Sequence, residues 1–159
     1  MLDPDSTTRF DALRNWHFPA DRLVVGAHVT LFHHLPGDQE PAIRIALADE
    51  AGRHRPLTAT VVGPCSLGRG VAYDLDCPAL VAARARLAER WTDRLTPQDR
   101  GWRRPHVTVQ NKVTPEVARA TLAELQSRPP LPPVTVLGFG LWRYLGGPWE
   151  PVATTRLAG

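Results

Sequence analysis

Cysteine, lysine and long apolar runs are all scarce in this sequence of 159 residues. The two cysteines, Cys65 and Cys77, form no Cys-x-x-Cys pair, which argues against a zinc ribbon, a redox motif or a disulfide scaffold. No segment approaches the roughly 18 apolar residues of a membrane span. Residues 1–14 also lack the apolar core of a signal peptide. We therefore expect a soluble, cytoplasmic protein with no membrane partner.

Motifs for nucleotide triphosphates and for metals are missing as well. The sequence has no Gly-Lys-Ser/Thr loop and no His-x-x-x-His pair. His33 and His34 follow a third histidine, His28, but no carboxylate or cysteine accompanies them. A metal site at this cluster is the less favoured alternative, and the sequence predicts neither a metal nor a cofactor.

Arginine supplies nearly all of the positive charge. The formal net charge is +3, and Lys112 is the single lysine. Arginine binds phosphate through two parallel hydrogen bonds, so this composition is compatible with an anionic ligand. A general enrichment in arginine, alanine and proline is the favoured explanation of this balance.

The order of elements indicates a duplicated α+β fold. The pattern predicts strands at Leu23–Phe32, Leu57–Val62, Val71–Leu75, His106 to about Val113, Val134–Tyr144 and Val152–Leu157, with helices over about 40–51, from Pro78 to about 95, and from Thr114-Pro115 to before Pro129. Two β-α-β-β halves, about 20–76 and 105–159, would flank a connecting helix at about 78–95. We expect one domain over 1–159, bilobal and pseudo-two-fold, with antiparallel sheets forming a central cleft and helices outside.

Each half opens with the same short motif. These motifs are His28-Val29-Thr30-Leu31 and His106-Val107-Thr108-Val109. Because side chains alternate along a strand, each histidine shares a face with its threonine. A pseudo-two-fold axis would bring both pairs into one cleft. Two imidazoles can then act as general acid and base while two hydroxyls hold phosphate oxygens, which is what phosphodiester chemistry requires.

On these motifs and their β-α-β-β context, the sequence resembles the two-histidine (2H) phosphoesterase superfamily, in its bacterial 2′-5′ RNA ligase-like branch. The resemblance implies a bilobal fold with a central cleft. It also implies hydrolysis of RNA 2′,3′-cyclic phosphates to 2′-phosphates, or reversible 2′-5′ joining of RNA ends. His28 and His106 would be the acid–base pair, with His106 activating water and His28 protonating the leaving 3′-oxygen. Thr30 and Thr108 would hold the phosphate.

The sequence departs from this family just after the second motif. Members that act on RNA cyclic phosphates often carry arginine there, where this chain reads Gln110-Asn111-Lys112. Lys112, or Arg103 or Arg104 before the motif, is the candidate replacement. Further candidate substrate contacts are Gln110 and the aromatic residues Phe32, Tyr73, Trp142 and Tyr144, any of which could instead belong to the core.

Two other hypotheses stay open. A non-catalytic module could bind RNA or a nucleotide in the same cleft, which the basic charge and the altered segment 110–112 would suit. A structural scaffold would require the paired motifs to be coincidental. The expected partners are RNA ends or a small cyclic nucleotide, and the sequence implies no protein partner.

Overall fold

The computed structural model describes residues 1–147 and 149–159, with Arg22 described by its backbone alone. The helices are α1 (Pro4–His17), α2 (Glu40–Ala51), α3 (Pro78–Glu89), α4 (Pro97–Arg100) and α5 (Pro115–Gln126), with 3₁₀ turns at Ala20–Arg22, Gly37–Gln39 and Thr92–Arg94. The strands are β1 (Leu57–Ser66), β2 (Val71–Asp76), β3 (His106–Gln110), β4 (Val134–Val136), β5 (Gly138–Tyr144) and β6 (Trp149–Arg156). This mixture of helices and antiparallel strands confirms the α+β prediction.

The strands form two antiparallel sheets. The larger sheet has the order β3-β2-β1-β4, and the smaller one pairs β5 with β6. Helices pack on these sheets from outside, with α1 against β3, α5 against β1 and α2 against β6. Between the layers lies one apolar core, whose fully buried members include Phe10, Leu80, Val107, Leu125 and Val134.

Equivalent segments of the two halves face each other at two places. Val29 forms an antiparallel bridge with Val107, the middle residue of the other motif. Thr58 lies opposite Thr135 where β1 pairs with β4, and each of these strands is the first after the helix of its own half. Pairing of equivalent segments is what a two-fold axis produces, so the contacts agree with the predicted pseudosymmetry.

The prediction of a regular strand over Leu23–Phe32 is wrong. This segment is extended but irregular, and Val29 alone joins a ladder, through its single bridge. Its backbone instead bonds to side chains from elsewhere: Val25 O and Thr30 O accept from Arg14 and Trp102, and Ala27 N donates to Asp11. A regular strand would pair with neighbouring strands along its length. Here side chains from other parts of the chain satisfy these backbone groups instead.

Helix α1 had no predicted counterpart. Asp3 caps it by accepting a hydrogen bond from Ser6 N at 2.9 Å, and Pro4 occupies the first turn, where a missing N–H costs nothing. Its buried positions are Ser6, Phe10 and Arg14, and a single apolar residue among three gives no helical periodicity to read.

Several other boundaries differ from the prediction. The connecting helix ends at Glu89 and is followed by the 3₁₀ turn Thr92–Arg94; β3 ends at Gln110 and not near 113; and α4 lies within the predicted loop 96–104. The predicted strand Val134–Tyr144 breaks at Leu137, where the chain leaves the larger sheet and enters the smaller one. The proposed turn 146–148 includes Pro148, which lies outside the described residues.

Four predicted elements are confirmed. Helix α2 ends at Ala51, with Gly52 following as its C-cap as expected, and β1 and β2 form an antiparallel hairpin. Helix α5 begins as predicted, with the Thr114 hydroxyl accepting from Val117 N ahead of Pro115. Across the described part of the chain, no helix has the length and apolar character needed to cross a bilayer.

Candidate active site

The bridge between Val29 and Val107 sets the geometry of the site. In an antiparallel pair with this register, His28 lies opposite Thr108, and Thr30 lies opposite His106. Val107 is fully buried, so the polar residues that alternate with it face away from the core. The four side chains therefore form one patch in which each histidine lies beside the threonine of the other motif. Diagonal neighbours in such a patch are about 7–8 Å apart, which suits a phosphate placed between two imidazoles.

Both imidazoles are held through Nδ1. His28 Nδ1 lies 2.7 Å from the carbonyl oxygen of Gly26, and His106 Nδ1 lies 3.3 Å from that of Arg104. In each case the carbonyl is two residues upstream, so the two halves repeat the contact. Because a carbonyl can only accept, each Nδ1 is assigned the hydrogen, and the neutral ring keeps its lone pair on Nε2. An Nε2 lone pair can take a proton from a nucleophile, and a protonated Nε2 can return one.

The surroundings of His28 shift its pKa below the ordinary value. The protein around the ring removes water that would solvate a positive charge, and this desolvation is the largest effect. The hydrogen bond to Gly26 O opposes it by favouring the charged ring, while the nearby guanidinium of Arg14 lowers the pKa further. Near neutral pH the uncharged form of His28 therefore prevails.

The larger sheet extends the same face. Asp74 lies opposite His106, and Ala72 lies opposite Thr108, so their side chains point to the side that carries the motif. Asp74 is almost buried, with 8% of its side chain exposed, and it holds Arg104 through a contact of 3.0 Å. The Arg104 side chain remains 62% exposed. Arg104 is thus held beside the second motif through one nitrogen of its guanidinium, while the rest of this group stays accessible to an anion.

Cys65 lies on this face as well, opposite Ala72 on the neighbouring strand. Burial raises the pKa of its thiol to about 11, and the nearby carboxylate of Asp74 adds to the effect. The uncharged thiol is a poor nucleophile, so Cys65 is unsuited to covalent catalysis.

Two of the predicted aromatic contacts are accessible. Trp142 and Tyr144 are 42% and 53% exposed, and they alternate along β5 with Arg143, which bonds to Glu40 of α2. They therefore lie on the face of the smaller sheet that points away from α2. The Tyr144 ring contacts that of Trp149, with centroids 4.8 Å apart. Flat, exposed rings of this kind can stack on a nucleobase.

Two predicted contacts do not fit their places in the structure. Tyr73 is 3% exposed and packs edge-on against Phe10 in the core, because it alternates with Asp74 and points to the opposite face. Gln110 is 2% exposed and donates to the Thr121 hydroxyl of α5 at 2.8 Å. A register shift between β2 and β3 turns Gln110 away from the Thr108 face.

Lys112 lies beyond the end of β3, at the opposite end of the strand from His106. Its side chain is exposed, and its backbone has a φ of 60°, the left-handed conformation, in the turn that leads to α5. Of the three basic residues proposed to replace the family's arginine, Arg104 is therefore the better placed.

A cluster behind the first motif holds the segment after Thr30. The Trp102 indole donates to Thr30 O at 2.9 Å, and the Arg84 guanidinium lies between two rings, 4.6 Å from Phe32 and 5.0 Å from Trp102. Arg84 also donates to Asp99 O. Phe32, predicted as a substrate contact, is thus half-buried and packs on this arginine.

Asp99 completes the cluster from helix α4. Its fully buried carboxylate accepts hydrogen bonds from His33 N at 2.7 Å and His34 N at 3.1 Å, and it contacts His33 Nδ1 at 3.1 Å. Nothing in the sequence pattern singled out Asp99 or Arg84, because their partners are distant in the chain. Within residues 1–147 and 149–159, no group of three or more histidines, cysteines or carboxylates is arranged to hold a metal ion.

Comparison with known proteins identifies the family. A family model described as the 2′-5′ RNA ligase superfamily matches residues 2–148, a span that includes both motifs. Comparison with curated proteins gives no match. The family match covers most of the chain and confirms the resemblance to the two-histidine phosphoesterases. The chain therefore belongs to the 2′-5′ RNA ligase superfamily.

Proposed function

We propose that this protein is a metal-independent phosphoesterase that opens the 2′,3′-cyclic phosphate at an RNA end, or a related cyclic phosphodiester, to a 2′-phosphate. The observation that carries the proposal is the Val29–Val107 bridge, which sets His28 beside Thr108 and His106 beside Thr30 on one face. This patch combines two proton-transfer groups with two hydroxyl donors, and the family match supports phosphoester chemistry at it.

The reaction balances with these groups. One histidine removes a proton from water, whose oxygen attacks the phosphorus. The bond between phosphorus and the 3′-oxygen breaks, and the other histidine donates its proton to that oxygen. The 2′-ester remains, so the product is a 2′-phosphate with a free 3′-hydroxyl. The threonine hydroxyls donate hydrogen bonds to the non-bridging oxygens as their charge increases, and Arg104 adds a positive charge at the rim.

We assign the base role to His28 and the acid role to His106. The lowered pKa of His28 favours the neutral ring, which is the form that can accept a proton. This order is the reverse of the one implied by the family resemblance. An aryl phosphodiester distinguishes the two orders, because p-nitrophenolate departs without a proton. On that substrate His106→Ala should retain far more of its wild-type rate than His28→Ala.

The exposed rings of Trp142 and Tyr144 suit a nucleotide substrate. Bases stack on aromatic side chains with little preference for sequence, at about 1–3 kcal/mol per base. A platform of this type on the smaller sheet would bind the nucleoside attached to the phosphate. It favours a substrate that carries a base over a plain cyclic phosphodiester.

The test uses EDTA-treated protein with an RNA that ends in a 2′,3′-cyclic phosphate, alongside a cyclic mononucleotide. Wild type should release a 2′-phosphate, and His28→Ala and His106→Ala should each lose at least about 100-fold in kcat. His34→Ala is the matched control, because its exposed ring follows the same motif outside the patch. Equal rates in the three variants would refute the assignment of the histidine pair.

A second arm offers the same cyclic-phosphate RNA together with an RNA that has a free 5′-hydroxyl. The name of the matching family makes 2′-5′ joining the second candidate, and by reversibility the same histidines would serve it. A joined product that requires both histidines would establish ligation as the activity. If RNA binds in a salt-dependent manner and is recovered unchanged, the chain is a binding module and both catalytic proposals fail.

A further inference from the structure

The two histidines differ in the peptide group that holds them. Gly26 O, which accepts from His28 Nδ1 at 2.7 Å, belongs to the same peptide group as Ala27 N. Ala27 N donates to the carboxylate of Asp11 at 2.6 Å. A continuous series of hydrogen bonds therefore runs from Asp11 through one peptide group to the His28 ring.

We propose that Asp11 is a positioning residue that orients and polarises His28 through the Gly26–Ala27 peptide, an inference that rests on the proposed function of the site. A carboxylate that accepts from the N–H side of a peptide increases the negative charge on its carbonyl oxygen, and consecutive hydrogen bonds strengthen each other. The carbonyl then holds the hydrogen on Nδ1 more firmly, which fixes the tautomer and keeps the lone pair on Nε2. Asp11 thus serves His28 as a carboxylate bonded directly to Nδ1 would.

Helix α1 holds Asp11 in place for this role. Arg14, one turn later, is 5% exposed and lies 3.7 Å from the Asp11 carboxylate. Its guanidinium also donates to Val25 O at 2.7 Å and to Thr108 O at 2.9 Å, so it joins both motif segments to the helix.

The second histidine has no equivalent series. His106 Nδ1 faces Arg104 O at the longer distance of 3.3 Å, and the next residue is Pro105. Proline has no N–H, so no carboxylate can bond to that peptide group from its other side. The two halves therefore differ just before the histidine. The first half has an alanine there, whose N–H bonds to a carboxylate. The second half has a proline there, which has no N–H to donate.

Long-range proton–nitrogen NMR of the His28 ring tests the proposal without any substrate. Wild type should show the Nδ1–H tautomer, and Asp11→Ala should show a mixture of tautomers. Asp11→Asn keeps an oxygen that accepts from Ala27 N and should retain most of the preference. Asp5→Ala is the matched control, because it removes an exposed carboxylate from the same helix. If Asp11→Ala unfolds, Asp11→Asn decides the point, because removal of the carboxylate charge alone should still lower the fraction of the Nδ1–H tautomer measurably.

Kinetics provide the second readout. In Asp11→Ala we expect kcat to fall about 10- to 100-fold with KM within twofold, because the base is misplaced while the phosphate contacts remain. Asp11→Asn should lose less, and Asp5→Ala nothing. A wild-type tautomer together with a wild-type kcat in both Asp11 variants would overturn the proposal and leave the phosphoesterase function standing. An inactive wild type would refute that function, and the tautomer of His28 would still decide the role of Asp11.

Discussion

The two histidines occupy equivalent places in the motifs and still differ in their surroundings. His28 lies against a glycine peptide bonded to a carboxylate, with the Arg14 guanidinium nearby, whereas His106 follows a proline. Acid–base catalysis of a single displacement needs one neutral and one protonated imidazole at the same pH. Two residues in identical environments would supply that combination poorly, so the local asymmetry suits the proposed division of labour.

The pH dependence of the free enzyme should reflect the base. The pKa of His28 is lowered, mainly by desolvation, so the ring loses its proton below the ordinary value of about 6.5. If neutral His28 is the base, kcat/KM rises with pH through that lower value and falls again at higher pH, because the general acid must stay protonated. NMR titration of His28 locates its pKa independently, and the two midpoints should coincide. A rate that falls as His28 loses its proton would instead assign it the acid role.

At the scale of elements, helix α1 connects the stability of the fold to the site. Its N-cap, Asp3, bonds through one oxygen to Ser6 N and through the other to Thr135 N of β4, at 2.9 and 2.8 Å. Towards its other end the helix carries Asp11 and Arg14, and both side chains bond to the segment before His28. Loosening the first turn should therefore affect both the sheet and the first motif.

Replacement of Asp3 by alanine should lower the free energy of unfolding by about 1–2 kcal/mol at pH 7. Burial alone would raise the pKa of Asp3, but the hydrogen bonds from Ser6 and Thr135 outweigh it and lower the pKa to about 2. The carboxylate thus stabilises the fold fully above about pH 4, and this stabilisation disappears as the pH falls from about 4 to about 2. Urea unfolding at pH 7 and at pH 2.5 should show the difference between wild type and Asp3→Ala shrinking. Asp5→Ala, exposed in the same turn, should show little change at either pH.

The elements that were predicted correctly have their sequence signals within the element itself. Helix α5 has its capping hydroxyl and proline side by side, and the β1–β2 hairpin has β-branched runs around a glycine-rich turn. Helix α1 and the segment 23–32 stabilise each other, since a buried arginine of the helix donates a hydrogen bond to the backbone of that segment. A side chain that satisfies backbone groups far along the chain leaves no periodic pattern. The family and the meeting of the two motifs could therefore be predicted from the sequence, but the side chains that hold the motifs in place could not.

At the scale of the whole molecule, the two halves are interlocked. The larger sheet contains strands of both halves, because β2 and β1 of the first half lie between β3 and β4 of the second. The motifs meet at the Val29–Val107 bridge, and one core cluster joins Phe139 of the smaller sheet to Val61 and Tyr73 of the larger one. Removing either half would leave strand edges and apolar side chains exposed in the other.

Unfolding should therefore be a single cooperative transition for the whole chain. Urea titrations followed by the backbone amide signals of Tyr73 in β2, Val107 in β3 and Phe139 in β5 report on both sheets and on the second motif. All three signals should disappear with one midpoint and one m value, because neither sheet keeps its buried face without the other. An earlier midpoint for Phe139 would show that the β5–β6 sheet unfolds by itself, and the chain would then consist of two units that dock at the cleft.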